Sequence, residues 1–594
     1  MIVIAAGEYG IKICNIEAST LIEYNKGLRD HYEFKDAMLT NSLFLDYLKD
    51  NGLHIHNEES TRDIVCFEFN YGTRSYEKEM DHLRKIAAKA SLEYKDAVVK
   101  GDEYLINKIL NKRNKISELT EAAQKNKDLY VEMSKAECRR LLYENGIDIT
   151  YSNYKKEPET IHYVMLFRST GKAKKGSCVF IREELYEDVH NFIYMGITLP
   201  KENAPIVEAS AYVPLISSGI VGRVRVEPEN ILILEDVDRF FTRDVVSIEI
   251  DENKHCVANW LDNYELKNTL FDGQALIDSS VFPEWASGYV LLRHHFTKMA
   301  AFHTNMQQFF QDWCAEHNVN YETYQVRDMF GVDHYLKDIK IVTTDNAIKW
   351  YKFKNLLGGS GLSAYKYWCE WVHKNDCNFG VVKFSHPSKL GNFQKMSYQH
   401  VNSLDEETMK SVCQTTVDYI NEMKRNDEAF QMFLKQNSNF SNDYEVLLEL
   451  CKWNSDFVRC SYYRERKKHI LNGYLNNAKT GEIIQEGDNL TIVGSPFAML
   501  LYAASGNPND CDLDDTFNFE KGTIQCYTSR FDDGEYLAGF RSPFNGRFNM
   551  NYLHNHYDER LLRYFNFSDQ IVAVNMIGTD FQDRNNGLNI LAQF

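Results

Sequence analysis

Proline is scarce in this chain. Ten residues in 594 leave no proline-rich linker. No Cys-x-x-Cys pair occurs among the 13 cysteines. The count is odd and the residues are scattered. That speaks for free thiols in a reducing compartment, against a disulfide framework or a zinc ribbon. The opening stretch MIVIAAGEYGIKIC has neither the basic start nor the long apolar core of a signal peptide. The longest apolar run, near Ile492 to Ala504, contains Pro496 and is too short to cross a bilayer. These absences predict a soluble, cytoplasmic protein with no membrane partner. Cations are in deficit as well: 67 Lys and Arg face 85 Asp and Glu, a net charge of −18. A compact binder held only by phosphate contacts is normally basic. Any nucleic-acid site here must therefore be local, a basic channel inside an acidic shell.

Several chemical signatures are missing too. His294, His295, His303, His554 and His556 form no His-Glu-x-x-His or other closed zinc pattern. There is no Gly-x-Ser-x-Gly elbow and no kinase signature. What the chain does have is apolar mass. Hydrophobic residues make up 44 % and aromatics 13 %, enough for packed cores and too much for global disorder. The length predicts roughly three or four domains.

Patterning divides the chain into five regions. Residues 1–150 are mixed and then helical. Asp63 to Asn70 reads as a strand, while Leu83, Ile86, Ala87 and Ala90, then Leu105, Ile109 and Leu110, recur at helical spacing. Two or three long amphipathic helices are expected over 79–146. Residues 151–260 form an α/β and strand-rich region. Its expected strands are 161–167, 206–209, 220–226, 231–234 and 245–250, all short and rich in β-branched residues. Residues 261–403 interleave strands with a helix. Residues 404–487 are helical, and residues 488–594 return to strands. Two β-rich blocks separated by a helical insert suggest a pair of barrels within an α+β chain.

Four constellations carry candidate chemistry. The loop Arg168-Ser-Thr-Gly-Lys172-Ala-Lys174-Lys175-Gly-Ser177 is basic and flanked by glycine. It suits phosphate contact, although no Gly-Lys-Ser/Thr closes it as a Walker loop, and a solvated basic turn has the same composition. The turn Asp272-Gly273 leads into strands carrying Arg293 and Lys298, cations suited to a triphosphate at a strand end. Asp510-Cys-Asp512-Leu-Asp514-Asp515 places aspartates at alternate positions after a turn. Such spacing can hold cations for nucleotidyl transfer, and it is also that of a plain acidic hairpin loop. Arg541 stands before Ser-Pro-Phe-Asn545, a strand end able to grip sugar or phosphate. Finally, the apolar run from Ile571 enters a loop holding Asp580, Asp583 and Gly587. Acidic loops at strand ends supply the clustered oxygens that hard cations require.

In this order these stretches resemble a known group. The segments STRDIVCFEFNYGTRSY, GKAKKGSCVFI, ELKNTLFDGQALIDSS, LLRHHFTKMAAFHTNMQQFF, GTIQCYTSRFDDGEYLAGFRSPFN and VAVNMIGTDFQDRNNG are similar to those of two-barrel RNA polymerase-like proteins of Firmicutes phages and mobile elements. That group is distantly related to the cellular RNA-dependent RNA polymerases. The resemblance runs from about residue 60 to Gly587. It implies a helical N-terminal region followed by two double-psi β-barrel-like domains with helical insertions. It implies that Lys298, and with it Arg293, binds the phosphates of a nucleoside triphosphate. From their own positions, Lys172, Lys174, Lys175 and Arg541 are the expected nucleic-acid contacts. In such relatives an Asp-x-Asp-x-Asp loop directly after the QDRNNG segment holds Mg²⁺ for template-directed RNA synthesis. Here Leu588-Asn-Ile-Leu-Ala-Gln-Phe594 follows Gly587 instead. The expectation is a second barrel that is incomplete, a chain truncated before its catalytic triad and inactive in synthesis. Asp580 and Asp583 are then supporting groups, and Asp510, Asp512 and Asp514 the only substitute carboxylates in view. The alternative expectation is a non-catalytic nucleic-acid-binding protein of a phage or mobile element.

Overall fold

The computed structural model describes residues 10–56, 59–153, 156–168, 178–200, 202, 204–396, 405–438, 442–517, 524–540 and 550–574. The fold is mixed α+β, about 45 % helix and 28 % strand, with several curled sheets. Among the described residues no helix is long and apolar enough to cross a membrane.

A seven-stranded sheet occupies the centre. Its order is Gly222–Arg225, Asn378–Phe384, Tyr289–His294, Thr297–Thr304, Gln274–Asp278, Ile341–Thr344, Ile231–Leu234. Successive residues of a strand face opposite sides, and here both sides are covered. Ile231, Ile233, Ile277, Val290, Leu292, Ala301 and Ile341 enter one apolar core. Leu232, Leu234, Leu276, Ala300, Phe302 and Val342 enter another. Burial on both faces is why Ile231-Leu-Ile-Leu234 is a continuous apolar run rather than an alternating one.

On the first side lies a second seven-stranded sheet. Its path is Phe34–Thr40, Gly10–Glu17, Ser60–Glu68, Cys178–Arg182, Lys156–Phe167, Ile147–Asn153, with Ile55–His56 paired to Ser60–Glu68. The N-terminal region is mixed up to this sheet's third strand and helical after it. The long helices Tyr76–Lys100 and Glu103–Lys125 do form, with Ser75 and Asp102 accepting at their N-caps and Gly101 in the left-handed region between them. Each such cap contributes about 1 kcal/mol. These helices are an excursion from a sheet that draws strands from both sides of residue 150. A correction concerns 206–209. Ile206–Tyr212 is a helix following Pro205, with Ala209 buried and Ile206 and Val207 exposed. Its β-branched residues carry a strand's composition without a sheet to enter.

On the other side of the centre lies a five-stranded sheet, ordered Thr491–Gly494, Ile571–Val574, Ile524–Tyr527, Met550–Asn555, Tyr536–Phe540. Its wiring repeats that of the central sheet. In the centre Ile231–Leu234 runs parallel to Ile341–Thr344, which is antiparallel to Gln274–Asp278. That strand is parallel to Thr297–Thr304, which is antiparallel to Tyr289–His294. In the C-terminal sheet Thr491–Gly494 is parallel to Ile571–Val574, which is antiparallel to Ile524–Tyr527. That strand is again parallel to the fourth, Met550–Asn555, which is antiparallel to the third, Tyr536–Phe540. The five strands just traced in the central sheet and the five of the C-terminal sheet thus follow the same order, first, fifth, second, fourth, third in chain sequence within each set. The apolar run near Ile492 to Ala504 splits between strand and buried helix Pro496–Ser505, Pro496 sitting in the first helical turn where it is tolerated. Between the two repeats the helices Glu406–Arg425, Asp427–Asn437, Tyr444–Trp453 and Ser461–Lys479 pack around their own core.

Candidate functional site

The third and fourth strands of the central sheet meet in a two-residue turn. His294 faces Thr297 and Arg293 faces Lys298 across the hairpin. His295 and Phe296 make the turn, and Phe296 adopts φ +47°. A non-glycine residue there costs about 1–2 kcal/mol. The cost is offset by burial: the Phe296 ring is 1 % exposed and lies against Phe353, centroids 5.3 Å apart. The Phe296 carbonyl accepts from the Lys349 backbone N–H at 2.7 Å, which docks a third cation on the hairpin.

Opposed residues of an antiparallel pair project to one face, so Arg293 and Lys298 stand side by side. Burial pushes the Lys298 amine below its ordinary value, repulsion from Arg293 and Lys349 lowers it further, and Asp272 opposes the shift. Burial alone brings Arg293 down to about 10. Its Nη1 donates to the Leu292 carbonyl at 2.8 Å. Among the described residues none of Arg293, Lys298 and Lys349 forms an ion pair. Like charges directly opposite one another destabilise a hairpin. An anion with several oxygens would relieve that repulsion at all three groups.

A buried carboxyl pins the end of the same sheet. Asp236 follows the first strand and accepts from Thr344 Oγ1 at 2.9 Å, Asn346 Nδ2 at 3.0 Å, and the backbone N–H groups of Phe271 and Val237 at 3.1 and 2.8 Å. Burial nevertheless pushes its pKa up to about 6. Asp345 accepts from the Asp236 N–H at 3.1 Å. These bonds fix the first and fifth strands and the turn before Asp272, and so position the neighbourhood of Lys298. Below the hairpin the His294 ring is fully buried, and neither of its nitrogens has a hydrogen-bond partner. Desolvation takes its pKa down to about 3 and that of His295 well below the ordinary value.

The alternate aspartates do not converge. Asp510 accepts from Asn507 Nδ2 at 2.8 Å, and Asp512 pairs with Arg239 at 2.5 Å. Asp514 turns inward to Thr516, whose Oγ1 and N–H donate at 2.5 and 3.0 Å, and Asp515 pairs with Arg560. The short helical turn Pro508–Leu513 fans the carboxylates apart, so a metal reading from their spacing is corrected. Lys172, Lys174, Lys175, Arg541, Asp580 and Asp583, and everything after Val574, lie outside the described residues. The described residues therefore offer no oxygen cluster that fits the Mg²⁺ implied by the resemblance. Among them one group of His, Cys, Asp and Glu side chains does converge on a point: Glu227, His373 and Cys377.

Sequence reasoning missed Lys349, Asp236 and that trio. Lys349 had no signal, because a backbone bond to Phe296 brings it in. His373 and Cys377, four apart, are a spacing that could have been noticed. Comparison with known protein families gives no matching family model, and comparison with curated proteins gives no relative.

Proposed function

We propose that this chain is a polymerase-like protein built on two related barrels, and that it binds nucleoside triphosphates and a nucleic-acid strand. The observation that carries the reading is the five-strand pairing that occurs twice, with Arg293 and Lys298 on the hairpin of its first copy and Lys349 docked against it, none of them in an ion pair among the described residues. A duplicated pairing order at two points of one chain supports two related β domains, which is what the resemblance read from the sequence implies. Arg293, Lys298 and Lys349 would hold the triphosphate, with Lys298 the central charge. Template-directed nucleotidyl transfer is the activity of the lineage to which this reading assigns the chain. Since the described carboxylates do not gather for Mg²⁺, binding rather than transfer is the function proposed for these residues.

Equilibrium titration of the full chain with ATP, tripolyphosphate and adenosine tests this. ATP and tripolyphosphate should bind and adenosine should not. Lys298→Ala and Lys349→Ala should each weaken ATP binding about tenfold, roughly 1.4 kcal/mol. Binding should also fall as pH rises through the lowered pKa of Lys298, because only the ammonium form attracts the anion. Equal affinity in wild type and Lys298→Ala would overturn the assignment.

A further inference from the structure

The convergent trio lies at the far edge of the central sheet. Glu227 follows strand Gly222–Arg225, His373 sits in the last turn of helix Gly361–Lys374, and Cys377 immediately precedes strand Asn378–Phe384. Three features of this corner bring the side chains together. Asn378 faces Arg225 across an antiparallel ladder. The Val226 N–H donates to the Cys377 carbonyl at 3.0 Å. Asp376 and Cys377 take φ +52° and +55°, which folds the chain back so that the thiol faces the helix it has just left.

The proton inventory at this point is short. Cys377 Sγ lies 2.8 Å from Glu227 Oε2 and 3.3 Å from His373 Nδ1. His373 Nδ1 lies 3.3 Å from the same Glu227 oxygen. On its other side His373 Nε2 meets Glu229 Oε1 at 3.0 Å. With Nε2 donating to Glu229, the neutral ring turns the Nδ1 lone pair toward the thiol and the carboxylate. One thiol proton then serves two acceptors, and the Nδ1 and Oε2 lone pairs face each other. A divalent cation in place of that proton satisfies all three atoms. A carboxylate behind a ligating histidine is also the usual arrangement that fixes its tautomer.

We propose that Glu227, His373 and Cys377 form a zinc site, with Glu229 as the group that orients His373. The donor set is one sulfur, one imidazole nitrogen and one carboxylate oxygen, which suits Zn²⁺ and not Mg²⁺ or Ca²⁺. Tetrahedral Zn²⁺ with ordinary bond lengths separates such ligand atoms by roughly 3.3–3.5 Å. Two of the three separations here already lie near that range, and the third opens by a fraction of an ångström. On binding, a zinc–sulfur bond forms and the Cys377 thiol proton leaves to the buffer. Glu227 and His373 are each about half exposed, so the fourth position is open to water. The ion would clip the end of the helix and the start of strand Asn378–Phe384 to the turn that follows the edge strand Gly222–Arg225. The proposal is independent of the polymerase reading.

The test uses the full chain, stripped with chelator and then titrated with Zn²⁺ or Co²⁺. Wild type should take up one more equivalent of zinc than Cys377→Ser or His373→Ala. Its Co²⁺ form should show a thiolate-to-cobalt charge-transfer band that both variants lack. Zn²⁺ should raise the Tm of stripped wild type and leave the variants unmoved. Glu227→Gln, at a half-exposed position that leaves the core intact, should weaken zinc at least tenfold while Tm without metal stays the same. Equal zinc in wild type and Cys377→Ser, or no charge-transfer band, overturns the proposal. In that case hydrogen bonds alone hold Glu227, His373, Cys377 and Glu229 together.

Discussion

His294 lies against Phe379, ring centroids 5.1 Å apart, and His295 packs between Phe192 and Trp371 at 4.6 and 5.4 Å. Both rings are buried in neutral form. Their folded pKa values are depressed, so the unfolded chain binds more protons than the folded one over a range of pH. The contribution is fully present above about 6.5 and is lost as pH falls toward 3, the folded value of His294. Urea unfolding followed between pH 7 and pH 4 should show stability declining over this window. His295→Phe, which cannot take up a proton, should flatten the decline. The residue scale is also where the candidate site was partly legible. Arg293 and Lys298 could be picked out as cations on strands. Their opposition depends on the register of a two-residue turn, and Lys349 reaches them by a contact that no spacing encodes.

Legibility was highest for elements with a local cause. The helices Tyr76–Lys100 and Glu103–Lys125 carry their own caps, and the buried strands of the central sheet are short apolar runs. One element has almost no tertiary support. Among the described residues, strands Asp238–Ile250 and Cys256–Thr269 pair with each other and with no other strand. Along this ribbon Val246, Ile248, Ile250, Val257, Trp260 and Tyr264 are all exposed. Its base is anchored by Arg239 to Asp512, and Thr269 Oγ1 donates to Asp238 at 2.7 Å across the ribbon's own two strands. Replacing residues 244–263 with a two-residue Asn-Gly turn should therefore leave the fold in place. Thermal unfolding of the shortened chain should shift by no more than a few degrees. The same deletion made across a strand of the central sheet should abolish folding.

At the scale of the molecule one buried side chain bridges the two repeats. Gln274 Nε2 donates to the Gly494 carbonyl and Gln274 Oε1 accepts from the Gly494 N–H, both at 2.9 Å. The bond joins the second strand of the first repeat to the first strand of the second. Around it Leu276, Ala300, Phe302, Val493, Phe497 and Val574 share a single core. Gln274→Ala leaves a buried N–H and a buried C=O unpaired, at about 1–3 kcal/mol each. Denaturant unfolding should show a loss of roughly 2–6 kcal/mol, on the same per-group cost. Because the core is shared, the two sheets should unfold in one transition.

The sequence by itself determined the elements whose signal is local: capped helices, apolar strands buried on both faces, and cations at strand ends. It also contained two β-rich blocks and the segments that resemble a polymerase lineage. Only the tertiary structure decided that both blocks share one pairing order, since strand pairing joins residues far apart and leaves no periodic trace in the chain. Chain reversal likewise decided the fate of the charged groups. Asp510 to Asp515, adjacent in sequence, point to different partners. Glu227 and Cys377, 150 residues apart, meet at one point because the edge strand Gly222–Arg225 pairs with Asn378–Phe384 there.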